Sequence, residues 1–104
     1  MTLHIVKYHV GQIVDHNKFG YRGVIYDVDA HFSASEEWYE AVAKSRPPKD
    51  APWYHVLVDG SDSVTYVAER NLSSAMDNSE INHPLVEVYF QGFNHDHYVI
   101  PDQQ

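Results

Sequence analysis

The 104-residue chain predicts a mainly β fold: a small closed sheet of about five strands, with one or two short helical insertions. Three observations point there. Trp53–Val58 and Val64–Ala68 are runs rich in Val, Tyr and Trp, residue types that suit a pleated, half-buried surface. Five residues, Gly60 among them, separate the two runs, a hairpin signal. A second pair of apolar runs, Val10–Asp15 and Tyr21–Val28, flanks a turn at Asn17–Lys18, and this arrangement is typical of small five-stranded barrels.

Within the 53–68 hairpin, Tyr54, Val56 and Val58 share one face, and Trp53, His55 and Leu57 the other. Both faces are largely apolar, so the hairpin is expected to lie centrally with other elements on each side. Gly20 and Gly23 bracket the start of the strand at 21–28, where a tight turn or bulge would need them. Ser33-Ala-Ser-Glu36 fits a capping box. The helix it opens carries Trp38, Tyr39 and Val42 as one apolar stripe and Glu40–Lys44 as an i,i+4 pair, and Arg46-Pro-Pro ends it. Asn71–Met76 reads as a connector and Asp77–Asn82 as a polar loop. Asn82-His-Pro84 then resembles a helix start, with Leu85, Val86, Tyr89, Phe90 and Phe93 at helical spacing, before a last strand at His97–Ile100. No repeat or linker interrupts the chain, so residues 1–104 are expected to form one domain.

Composition narrows the function. There are no cysteines, which excludes disulfides, thiolate zinc sites and cysteine nucleophiles. No apolar run approaches the roughly 20 residues needed to span a bilayer. The start, MTLHIVKYHVGQ, has neither the apolar core nor the cleavage site of a signal peptide. No membrane association and a cytoplasmic location are the expectation. The net charge is −8, and residues 1–35 are neutral, so the acidic excess lies in the remaining two thirds. Such a surface repels phosphate and favours a module that meets proteins. Lys7, His9, His16, Lys18 and Arg22 form the one locally basic patch, so any DNA contact is expected at Lys7, Lys18 and Arg22. Trp38 and Tyr39 are the candidate partner-binding aromatics, because Trp and Tyr are over-represented at interface hot spots.

Catalytic patterns are missing: there is no phosphate-cradling glycine loop, no Gly-x-Ser-x-Gly elbow and no His-Glu-x-x-His pair. Asp27, Asp29 and His31 point the same way in an extended chain, as do His95 and His97, but neither set has the ligands to complete a metal site. No catalytic residue, metal or cofactor is expected, and the chain reads as a binding protein. A barrel with this much aromatic surface is also compatible with self-association.

Several segments, taken in order, resemble the YccV-like, or hemimethylated DNA-binding, family, whose stand-alone bacterial members are the heat-shock protein HspQ. They are Gly11-Gln-Ile-Val-Asp-His16, Gly20-Tyr-Arg-Gly-Val-Ile-Tyr-Asp27, Ser35-Glu-Glu-Trp38, Pro52-Trp-Tyr-His-Val-Leu-Val58 and Tyr66-Val-Ala-Glu-Arg-Asn-Leu72. His83-Pro84, Tyr89-Phe90, Phe93 and Tyr98-Val-Ile-Pro101 complete the pattern, and this tail is also similar to the version of the domain that ends some eukaryotic F-box proteins. The resemblance implies a small SH3-like barrel and two functions of different kinds. One is binding to hemimethylated double-stranded DNA. The other is a heat-shock, stress-response role in protein quality control, as an adaptor or allosteric effector of the Lon protease and its substrates.

Overall fold

The computed structural model describes residues 6–101. Five antiparallel strands form the main sheet: β1 (Ile13–His16), β2 (Arg22–Asp29), β3 (Trp53–Val58), β4 (Val64–Ala68) and β5 (Leu72–Ser74), in the order β4-β3-β2-β1-β5. Helix α1 (Glu36–Val42) lies between β2 and β3, and a 3-10 turn at Glu69–Asn71 links β4 to β5. A one-turn helix α2 (Val86–Tyr89) precedes a small hairpin of β6 (Gly92–Asn94) and β7 (His97–Val99). The mainly β fold with two short helices is the one expected.

Strand β3 explains the packing. Tyr54 and Val56 enter a core that draws side chains from all five strands of the sheet, including Val14, Ile25, Val67 and Leu72. Leu57, on the opposite face, joins Ile13 and Val24 beneath Ile81, Phe90 and Tyr98 of the C-terminal segment. Trp53 packs with Tyr39, Ala43 and Ala68 beneath α1. Burial of Val56 and Leu57, both at 0% exposure, contributes about 1.5–3 kcal/mol each. The two-sided burial expected of the hairpin is therefore present.

Its central position holds for one strand only. β3 lies inside the sheet, whereas β4 is an edge strand. The sheet bends at Tyr26, where the register passes from Ile25↔Val56 to Asp27↔His55 and leaves Tyr26 as a bulge. Among the described residues no ladder joins β4 to β5, so the 3-10 turn, and not a closing strand pair, carries the chain across the gap.

Other departures are local. β1 begins at Ile13 and not at Val10, because Gly11 sits at φ 94° in the preceding turn. The 71–76 connector contains a strand, β5, paired to β1 from Val14↔Ser74 to His16↔Leu72. The N-cap of α1 is Ser35, not Ser33: Trp38 N–H donates to Ser35 Oγ at 3.1 Å. Glu40 pairs with Arg46 rather than Lys44, at 2.6 and 2.8 Å. Asn82 caps no helix. The α2 turn begins after Leu85 and stops at Tyr89, which places Phe93 on β6.

Candidate functional site

The β1–β2 turn forms one wall of a groove. The His16 ring is buried, and its Nδ1 accepts hydrogen bonds from the N–H groups of Lys18 and Phe19, both at 3.1 Å. Gly20 closes the turn at φ 72°, donating its N–H to the His16 carbonyl at 2.9 Å. Phe19 stacks on His16 with centroids 4.6 Å apart, yet is 76% exposed. Burial, and secondarily the Lys18 ammonium, hold the His16 imidazole below its ordinary pKa.

Helix α1 forms the opposite wall. Tyr39 is buried, and its hydroxyl donates to the Pro47 carbonyl at 2.6 Å. Trp38 is half-buried and packs edge-on against Trp53 and Tyr66, with centroids 6.0 and 5.6 Å apart. Val42, one turn later, is 54% exposed. Between the walls lies a cleft of about 470 Å³, floored by β4 and by Trp53 and His55 of β3. Lys18 and Lys44 are the two Lys or Arg residues lining it, and no carboxylate does.

The residues expected to contact DNA occupy three separate settings. Lys18 is exposed on the groove wall. Lys7 lies beside Glu69 and Arg70 in a different depression, its ammonium 5.7 Å from the Tyr8 ring centroid. Arg22 is not free to meet a phosphate in this conformation. Its guanidinium donates to Asp59 Oδ2 (3.1 Å) and to the carbonyls of Asp77 (3.0 Å), Ser79 (2.5 Å) and Glu80 (3.1 Å). Of the two candidate partner-binding aromatics, Trp38 reaches the groove and Tyr39 belongs to the core beneath it.

The acidic clusters also rearrange. His31 turns away to the Phe32 carbonyl, and His55 takes its place beside Asp27 and Asp29, with ligand atoms mutually within 4.8 Å. The cross-strand pair Asp27↔His55 brings this about, a contact that sequence spacing does not reveal. His55 Nε2 lies 3.1 Å from Asp29 Oδ2, which also accepts the Tyr66 hydroxyl at 2.7 Å. Burial and this carboxylate push the Tyr66 phenol up to about 12. These bonds account for Asp29 as a strut beneath α1. His95 sits at φ 63° in the β6–β7 turn, so His95 and His97 do not share one face of an extended chain.

Residues 6–97 match the YccV-like family, described as "Hemimethylated DNA-binding protein YccV like". The chain belongs to the YccV-like family. The match takes in both groove walls and the whole five-stranded sheet, so the groove is part of the family domain rather than an appendage to it. The family is named for DNA binding, and among the described residues no helix is long and apolar enough to cross a membrane. Sequence reasoning did not single out Phe19, Lys44 and Val64. Phe19 carried a usable signal, as a large aromatic between Lys18 and Gly20 in a tight turn, where no core is within reach.

Proposed function

We propose that this YccV-like chain is a non-enzymatic binding module for hemimethylated duplex DNA, led by the β1–β2 turn. The family match over residues 6–97 carries this reading. The turn offers two chemistries that a methylated duplex calls for: the exposed Lys18 ammonium for a phosphate, and the exposed Phe19 ring as an apolar surface for a methyl group. Lys7 and Lys44 are further exposed cations available for phosphates. Arg22 supports the turn from its base, since it begins β2. A mobility shift with hemimethylated, fully methylated and unmethylated versions of one duplex tests this. Preference for the hemimethylated probe is expected, and equal binding or none at low salt would overturn it.

A second reading, an adaptor or effector of the Lon protease, is favoured by one observation. The groove presents mainly aromatic and aliphatic side chains, a surface that proteins recognise more readily than phosphate does. Its test is Lon-dependent turnover of a model substrate across a saturating titration of this protein. A change in rate supports it, and a flat response rejects it.

A further inference from the structure

The register of the main sheet leaves one edge unsatisfied. The Val58 N–H donates to the Ser63 carbonyl and the Glu69 N–H to the Pro52 carbonyl. With the pairs running from Leu57↔Val64 to Trp53↔Ala68, the alternation of an antiparallel ladder makes Thr65 and Val67 the residues bonded to β3. Val64 and Tyr66 therefore turn both N–H and C=O away from the sheet, and Ala68 turns its N–H. None of these groups has a partner outside the strand among the described residues. The other edge is shorter and partly covered: in three-residue β5 the Leu72 carbonyl accepts from the Tyr8 hydroxyl at 3.0 Å and from the Asn17 amide, and the Leu72 N–H donates to the Glu69 carbonyl.

Exposed edges are usually blunted by charge, proline or a bulge. Val64-Thr-Tyr-Val-Ala68 has none of these and is rich in strand-forming residues. The groove runs along this edge, since its lining takes in all five consecutive residues of β4, including Val67 and Ala68, whose side chains are buried. Five residues give about 17 Å of strand to pair against.

We propose that the β4 edge is a docking site for an extended apolar peptide flanked by acidic residues, which joins the sheet as a sixth strand. Alternating N–H and C=O groups are the complement of another polypeptide strand. Charge names the flanks: in a chain of net charge −8, the Lys and Arg residues lining the groove are Lys18 and Lys44, and no carboxylate is among the lining residues. The outward backbone groups of β4 play no part in the DNA reading, although Lys18 and Lys44 serve both.

The test is fluorescence anisotropy with a labelled nonapeptide of alternating Val and Tyr between Asp pairs. Two further versions are N-methylated at alternate amides, in one phase or in the other. Saturable binding is expected, with one phase weakening it about tenfold or more and the other leaving it intact. Val64→Pro removes an outward N–H while sparing the bonds to β3, and is expected to weaken binding to a similar degree. Lys18→Glu with Lys44→Glu should abolish binding of the acidic peptide and admit one whose Asp pairs are replaced by Lys. No binding, equal effects of the two methylation phases, or indifference to Val64→Pro would overturn the proposal. A homodimer broken by Val64→Pro would instead assign the edge to a second copy. Loss of duplex binding by Val64→Pro, with no peptide binding, would assign the groove to DNA.

Discussion

The Arg22 guanidinium donates to Asp59 Oδ2 at 3.1 Å and so ties the start of β2 to the residue that follows β3. Asp59 Oδ1 accepts the Asn82 N–H at 2.7 Å, and the three carbonyls held by Arg22 belong to residues 77–80. One side chain, 17% exposed, thus fastens the long 75–85 segment to the sheet. Arg22→Ala is expected to cost about 2–4 kcal/mol, because it leaves Asp59 and three carbonyls without their shared donor. Lysine should recover less than half of that, having no planar fork to reach several acceptors. Urea unfolding checks both. Limited proteolysis should cut the Arg22→Ala protein within 75–85 before the wild type.

Lys18 is expected to behave in the opposite way. It is exposed and makes no ion pair among the described residues, so Lys18→Glu should leave the urea midpoint nearly unchanged. If Lys7, Lys18 and Lys44 each release one counterion on binding a duplex, the affinity falls with salt at a log–log slope of about −2.7, and the Lys18 change removes about 0.9 of it. Titration of a hemimethylated duplex at several salt concentrations measures the slope. An unchanged slope in the variant would remove Lys18 from the contact.

The strands at 53–58 and 64–68 were legible to the residue, because apolar character on alternating positions and a Gly-containing turn are local signals. β5 was not. Leu72-Ser-Ser is three residues of weak strand preference, held by β1 and by hydrogen bonds from Tyr8 and Asn17, so the cause lies more than fifty residues away. The helix at Val86–Tyr89 was over-read for the opposite reason. Its spacing is helical, but Phe90 and Phe93 are claimed by packing against Tyr98 at 5.1 and 4.8 Å. For the site, charge at Lys18 and Arg22 was visible but their fates were not. Which cation is free depends on which carbonyls fold back toward it, and among the described residues the carbonyls of Asp77, Ser79 and Glu80 reach Arg22 and not Lys18.

Gly23 offers a steric test of the sheet. A Cβ at this position would lie 2.5 Å from the Leu57 carbonyl oxygen and 2.5 Å from Val56 Cγ1. The neighbours are backbone and a 0%-exposed core side chain, neither of which has space to yield. Gly23→Ala is therefore expected to destabilise by about 1–3 kcal/mol despite alanine's lower entropic cost. Gly92→Ala meets nothing within 4 Å and is the matched control. Equal thermal midpoints for the two variants would contradict the close approach of β2 to β3.

His16 predicts a pH dependence of the turn itself. Its Nδ1 must stay unprotonated to accept from Lys18 and Phe19, and burial, followed by the Lys18 charge, lowers its pKa from the usual 6.5. The unfolded chain then binds a proton more readily than the folded one. Stability from this group is complete above about pH 6.5 and is lost as pH falls from there through the lower folded value. His16→Gln keeps an acceptor but cannot titrate in this range, so its urea midpoint should fall less than that of the wild type between pH 7 and pH 5.5. The loss should appear first at the groove wall: in the wild type, the amide resonances of Lys18 and Phe19 should shift in step with His16 titration, before those of the β2–β3 ladder. Parallel pH profiles for wild type and His16→Gln would mean that the turn is held by Gly20 and the strand ends rather than by the imidazole.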